Sequence, residues 1–183
     1  MRVFMALFLA LAAPIAAVAD DVCEELWLTR NTVFDRAGYC FGSDLGQAVF
    51  DNSDCTTTAP KLSPEGETIV ALVREVEVGL DCQVNTNRKT LKLDHVIERR
   101  ALYDLAVNSG FESSCLGYKG PPLLLTAGRH PDTAISGEII KGMDFNFGHI
   151  PVDGMDFIDL GDGQMGWINS RLISPDTCTA MAG

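Results

Sequence analysis

Leu26-Trp27-Leu28-Thr29-Arg30-Asn31-Thr32-Val33-Phe34-Asp35-Arg36-Ala37-Gly38-Tyr39-Cys40-Phe41 decides the reading of the N-terminal half. Leu26, Trp27, Val33, Phe34 and Ala37 recur at helical spacing on one face, which predicts a helix from about Glu24 to Ala37. Glu24 and Glu25 then fall in the first turn, where the helix dipole favours anions, and Arg36 in the last. Gly38 is placed for a left-handed C-cap. Arg30 interrupts the apolar stripe, with Asn31 beside it. A buried guanidinium needs a partner, and Asp35, Asp51 and Asp54 are the candidates.

Beyond this helix, Tyr39–Phe41 and Ala48–Phe50 are short apolar clusters around a Gly-Ser-Asp turn, and Asp51–Asp54 forms a second turn. Ser63 begins a capping pattern with Pro64 at the first helical position and Glu65 and Glu67 in the first turn. The second helix should run to about Leu80 and bury Ile69, Leu72, Val73, Val76 and Leu80. Glu65, Glu67, Glu75 and Glu77 read as its wet face rather than as paired catalytic acids.

The stretch Leu26–Phe41 resembles the YARHG domain, a small extracytoplasmic bacterial module. Arg30-Asn31, Phe34, Arg36, Gly38 and Phe41 occupy the positions of its core pattern; Asp35 and Ala37 stand where the family has Ala and His. The resemblance implies a helical fold over residues 20–82 and an extracytoplasmic location, with Trp27, Arg30, Asn31, Phe34 and Gly38 as structural residues. It implies no chemistry.

Residues 83–112 read as a linker with a short helix within Asp94–Asp104, turning Val96, Ile97, Leu102 and Leu105 inward. Arg88, Lys89, Lys92, Arg99 and Arg100 cluster within 13 positions of an otherwise acidic chain. They are a docking spot for an anionic partner or, as favoured here, a solvated island that meets acidic neighbours on either side. Residues 113–183 read as all-β. Leu123–Thr126, Glu138–Ile140, Asp144–Phe147, Met155–Leu160 and Met165–Asn169 are short strands punctuated by glycine and proline. The closing Gly166-Trp-Ile-Asn-Ser-Arg-Leu-Ile173 and the opening Leu125-Thr-Ala-Gly128 resemble bacterial SH3-like domains. That resemblance implies a small barrel and, through Phe157 and Trp167, a candidate peptide groove. The fold class expected is α+β: a small helical disulfide-bonded domain followed by a small SH3-like β-barrel.

Residues 1–19 read as a signal peptide. Arg2 is followed by an apolar run, and Ala17-Val18-Ala19 offers cleavage before Asp20. The run is short for a span of about 20 apolar residues, and no second run of membrane length follows. With 46% hydrophobic and 21% charged residues the chain is globular rather than disordered. Its formal charge of −11 becomes one unit more negative once Arg2 leaves with the leader, which disfavours nucleic acid and anionic membrane as partners.

Six cysteines in an oxidising compartment imply three disulfides and no free thiol; their spacing does not resemble a zinc module. Six cysteines allow 15 pairings. First and last strands are neighbours in a small barrel, so Cys115 should meet Cys178. That leaves three arrangements for the others. Cys40 and Cys55 flank two turns, which favours Cys40–Cys55, and Cys23–Cys82 then follows if the two helices pack antiparallel.

Chemistry is sparse. His130 and His149 each stand near a proline in turn-like sequence, and His95 beside Asp94 lies where helical neighbours point apart. Asp153, Asp156, Asp159 and Asp162 recur every three residues but lack the rhythm of a calcium loop. The sequence offers no catalytic residue, no metal site and no cofactor. The expected function is that of a non-catalytic periplasmic or secreted envelope protein, a binding module for a peptide, cell-wall component or protein partner. The alternative is a small secreted hydrolase or an inhibitor of an envelope enzyme.

Overall fold

Helix α1 runs from Ala16 to Arg36 and is the element around which the rest is arranged. The computed structural model describes residues 16–183; the leader expected at 1–19 lies outside the described residues as far as position 15. Because α1 begins before Asp20, Glu24 and Glu25 are not first-turn residues. They lie inside the helix and are buried, which corrects the dipole reading. The C-terminal end of α1 follows the sequence expectation. Gly38 has φ +80°, its N–H donates to Asp35 O at 2.8 Å, and Tyr39 N–H donates to Phe34 O at 3.1 Å. This is a complete left-handed cap, and a Cβ at Gly38 would also meet Thr56 Oγ1 at 2.5 Å.

Helix α2, Asp44–Val49, is a short turn of helix capped by Ser43, where the sequence suggested only apolar clusters. Helix α3, Pro64–Gly79, begins at the Ser63 cap and ends one residue short of the expected Leu80. It packs antiparallel to α1: its N-terminal Gly66 lies against Val33, and Cys82, just past its end, is bonded to Cys23. Val70 and Val73 are its most buried residues, whereas Leu80 is exposed. Helix α4 is Val96–Ala101. Of the residues expected inward there, Leu102 and Leu105 are buried, but Ile97 is 77% exposed because it lies on the solvent face of this short helix.

Strands β1 (Asn108–Leu116), β2 (Leu123–Thr126), β3 (Ile135–Ile139), β4 (Phe145–His149), β5 (Met155–Asp159), β6 (Met165–Asn169) and β7 (Ala180–Ala182) form one antiparallel sheet in the order β3-β2-β6-β5-β4-β1-β7. Helices plus this sheet give the expected α+β class. β3 and β7 are its edges, so the ladder is open. Two strands escaped the sequence reading. β1 holds three serines, an asparagine and a glycine among its nine residues and carries a bulge between Asn108 and Ser113, so it shows little β signal of its own. β7 is three residues long and pairs only with β1.

The three bonds are Cys23–Cys82, Cys40–Cys55 and Cys115–Cys178, and no cysteine among the described residues is free. The last pairing follows from topology, because Cys115 in β1 sits opposite Met181 in β7.

The helical half and the sheet share a core. Val33 of α1 and Val70 of α3 pack in one cluster with Leu105 and Ala106, and with Phe157 and Trp167 of β5 and β6. Leu102, Leu105, Ala106 and Val107 are thus buried between the halves, with Tyr103 exposed between them. Thr29 Oγ1 donates to Ala106 O at 3.3 Å, and the Arg36 guanidinium donates to the carbonyls of Arg100, Leu102 and Tyr103.

Arg30 is paired, though not with any of the expected aspartates. Its Nε and Nη2 donate to the Glu77 carboxylate of α3 at 3.1–3.2 Å. Glu77 therefore belongs to the α1–α3 contact and not to a wet face. The Arg30 side chain retains 23% exposure, so solvent weakens the pair. Arg30→Ala should cost about 1–2 kcal/mol in urea unfolding, and a double-mutant cycle with Glu77→Ala should show coupling. A cycle with no coupling would remove the pair from the stability of the α1–α3 contact.

Candidate functional site

The richest polar cluster lies where α1 meets the sheet. Asn108 and His149 are cross-strand partners at the ends of β1 and β4, which brings their side chains to one place beside α1. Both reach Glu25. Asn108 Nδ2 donates to Glu25 Oε2 at 2.8 Å, and His149 Nε2 lies 2.7 Å from Oε1. Arg99 of α4 donates Nη1 to the same Oε1 at 2.5 Å, donates Nη2 to Asp159 of β5, and donates Nε to Asp94 O at 3.2 Å. One carboxylate thus gathers side chains from α4, β1 and β4.

The electrostatics follow from this geometry. Burial alone would raise the Glu25 carboxyl, but the charge and hydrogen bond of His149, the Arg99 guanidinium and the Asn108 amide outweigh it and hold the group at about 2. The His149 side chain is only 5% exposed and its ring packs edge-on against Phe157 at 4.6 Å. The carboxylate accepts at Nε2, which assigns the ring proton to that nitrogen in the neutral form. Nδ1 is buried and has no hydrogen-bond partner among the described residues. His149 is therefore a buried and oriented residue, contrary to the turn reading. It ends β4, with its ring on Glu25 of α1, and the proline two residues on hid this.

This cluster forms one wall of a cleft of about 510 Å³. Asp21 and Val22 of α1, Lys92, Leu93, Asp94 and His95 before α4, Glu112 of β1, Asn146 and Gly148 of β4 and Gly161 after β5 complete the lining. His95 holds φ +57° at the start of α4, and a Cβ at Gly163 would stand 3.0 Å from its Nδ1.

The basic island is largely consumed inside the chain. Arg88 pairs with Glu24 and Arg99 with Glu25 and Asp159. Arg100 pairs with Asp35 at 3.3 Å and lies 4.6 Å over the Phe50 ring. Lys89 and Lys92 are exposed, and Lys92 alone of the five has its free ammonium in the cleft lining as well as outside any ion pair among the described residues. Phe157 and Trp167 do not line a groove: both are 1% exposed in the shared core, because the helical half covers the face of the sheet that carries them. Trp27 packs with Phe41, Leu45 and Phe50, Phe34 packs on Tyr39, and Asn31 Nδ2 donates to Trp27 O at 2.7 Å.

The sequence reading missed Glu25, Asn108 and His149 as a group. They are distant in sequence and none sits in a motif, so only the β1–β4 register brings them together. Chemically, the arrangement presents an oriented imidazole and exposed carboxylates. It does not present a nucleophile: no Ser or Thr hydroxyl is bonded to Nδ1 among the described residues, and all six cysteines are in disulfides. Among the described residues no group of His, Cys, Asp and Glu is arranged to hold a metal.

Fold and bonds together define an α+β protein stapled by disulfides, in keeping with an extracellular or periplasmic setting. Among the described residues no helix is long and apolar enough to cross a membrane. The chain belongs to the family described as Domain of unknown function (DUF4453), which matches residues 81–183, and residues 1–78 match the YARHG domain. No curated protein and no solved structure matches the chain.

Proposed function

We propose that this protein is a non-catalytic envelope binding module that takes a peptide, or a peptide-bearing wall or protein partner, in the cleft between α1 and the sheet. Export through the leader at 1–19 is part of this reading. The observation that carries it is that the cleft is built jointly by the helical half, the α4 segment and the sheet around one fully satisfied carboxylate, Glu25. Such a network fixes the wall geometry before any ligand arrives, which lowers the ordering cost of binding. An SH3-like relation of the sheet is supported by the Gly166–Ile173 segment, where strand β6 is followed by a 3-10 turn at Ser170–Leu172. Its buried Trp167 and Phe157 move the binding surface from an aromatic groove to the junction cleft.

The test is a screen of envelope-derived peptides and wall fragments by NMR on the full chain. Shifts should concentrate at Asn146, Gly148 and Gly161, and an Asn146→Trp variant that fills the cleft should abolish them. Ligands that map elsewhere, or that bind the filled variant equally well, would overturn the reading.

A second reading, a small secreted hydrolase or enzyme inhibitor, is favoured only by the Glu25–His149 pair. Hydrolysis of a wall or peptide substrate that disappears in His149→Ala, with the fold retained, would put it in place of the first.

A further inference from the structure

Strand β1 breaks its ladder at one place and there turns an aromatic ring outward. Gly110 takes φ +79° and its N–H donates to Asn108 Oδ1 at 2.9 Å. Ser109 Oγ accepts from Phe111 N–H at 3.2 Å and lies 3.1 Å from the carbonyls of Phe111 and Gly148. These bonds fix the bulge, so the 81% exposure of Phe111 is built into the strand. The bulge rests on the end of α3: a Cβ at Gly110 would stand 3.0 Å from Leu80 Cδ1. Beside it lies a groove of about 330 Å³ lined by Leu72, Val76, Gly79, Leu80 and Ile150, with Phe111 itself at the edge. A dry cavity of about 150 Å³ already holds a benzene ring, so this groove has room for an aromatic side chain. Val78 of the same helix is also 81% exposed. Apolar groups gathered in this way mark a contact surface more than scattered surface hydrophobes do.

A knob and a hole on one face are what an isologous contact requires, because each copy then gives the other what it receives. The charges of α3 fit the same symmetry. Arg74 and Glu75 are exposed and enter no ion pair among the described residues, and Glu75 is the one charged residue of the groove lining. A two-fold axis crossing α3 between them sets each Arg74 against the partner's Glu75. It also sets each Val78 against the partner's Ala71, a side chain small enough to let it in. Opposite charges thus meet at the centre of the contact, although the chain as a whole carries −11.

We infer that this protein forms a two-fold dimer through α3 and the β1 bulge, with Phe111 of each copy filling the partner's groove. The inference does not depend on the cleft or on its ligand.

Sedimentation equilibrium of the chain from Asp20, with its disulfides intact, tests it. Over about a hundredfold range of concentration the mass should pass from monomer to dimer and no further. Phe111→Ala removes an exposed side chain, so it should leave the unfolding midpoint where it was and weaken the dimer at least about tenfold. Arg74→Glu and Glu75→Arg each set like charges across the axis, and each should weaken the dimer several-fold. An equimolar mixture of these two variants should recover it, because opposite charges face each other again in the mixed pair.

A chain that stays monomeric throughout would overturn the inference; where the Phe111 amide then shifts in the peptide screen, the groove belongs to a different partner. A dimer unchanged by Phe111→Ala would overturn it by placing the contact elsewhere. Species larger than a dimer, or a mixture of the charge variants that associates no better than either alone, would overturn the two-fold contact.

Discussion

Glu25→Ala should unfold the junction more severely than any other single charge removal in the protein. The carboxylate accepts from Arg99, His149 and Asn108, and all three donors lie in the packed contact between α1, α4 and the sheet. Deleting it leaves Arg99 with Asp159 as its one carboxylate, and His149 and Asn108 with buried donors and no acceptor. Breaking a buried ion pair from one side costs about 3–5 kcal/mol, and equilibrium unfolding in urea with the disulfides intact should show a loss of that size. Glu25→Gln keeps a carbonyl oxygen and should cost less. The same group sets an acid limit. Its carboxyl is held at about 2 against an ordinary 4.5, with the buried site's desolvation outweighed by the positive His149 and Arg99 that face it and by Asn108. A carboxyl depressed in the folded state stabilises fully above its unfolded value, and that stability is lost as pH falls from 4.5 towards 2. The loss amounts to about 3 kcal/mol. Glu25→Gln should flatten the stability–pH curve across that window. A curve of unchanged slope would mean that the carboxyl titrates normally and that the network is not holding it ionised.

Local features of the fold were legible where a single element declares itself. The Gly38 cap, the Ser63–Pro64 helix start and the strand positions of Leu123–Thr126 and Met165–Asn169 each depend on neighbouring residues, and short-range chemistry suffices to place them. The disulfides were legible for a related reason: a covalent pair reports which ends must meet. Antiparallel α1–α3 packing satisfies Cys23–Cys82, the β1–β7 neighbourhood satisfies Cys115–Cys178, and Cys40–Cys55 closes the short loop around α2. What did not show was anything set by register. Glu25 reads as a first-turn acid until the helix is seen to begin earlier. His149 reads as a turn residue until β4 is paired with β1, and β1 itself is hidden by its serines, its glycine and its bulge. The linker arginines read as an island that meets acidic neighbours on either side, but which carboxylates those are, on α1 and β5, shows only in the fold. The candidate cleft is therefore a tertiary property: its residues come from α1, α4, β1, β4 and β5, and Glu25, Arg99, Asn108 and His149 are brought together from four of these.

Trp167→Ala should come close to Glu25→Ala in cost and extend the same point to the core. The indole is 1% exposed, packs against Phe157 at 5.5 Å between ring centres, and shares a cluster with Val33 and Val70 of the helical half. Its Nε1 donates to Asp104 O at 2.9 Å, which ties β6 to the segment between α4 and β1. Truncation opens a cavity at the point where helices and sheet meet, with an expected loss of about 3–5 kcal/mol. Trp167→Phe fills most of that volume and forfeits the hydrogen bond, for about 1–2 kcal/mol. Because the cluster spans both halves, the helical signal in circular dichroism and the tryptophan-independent near-ultraviolet signal of the sheet should be lost in one coincident transition in each variant. Two separated transitions would show that the halves fold on separate cores. The pair of variants also distinguishes structure from ligand contact at this residue. An aromatic that stacked on a ligand would change affinity in Trp167→Phe while leaving stability unmoved; an indole locked in the shared core should lower stability and leave the affinity of the folded protein for cleft ligands as it was.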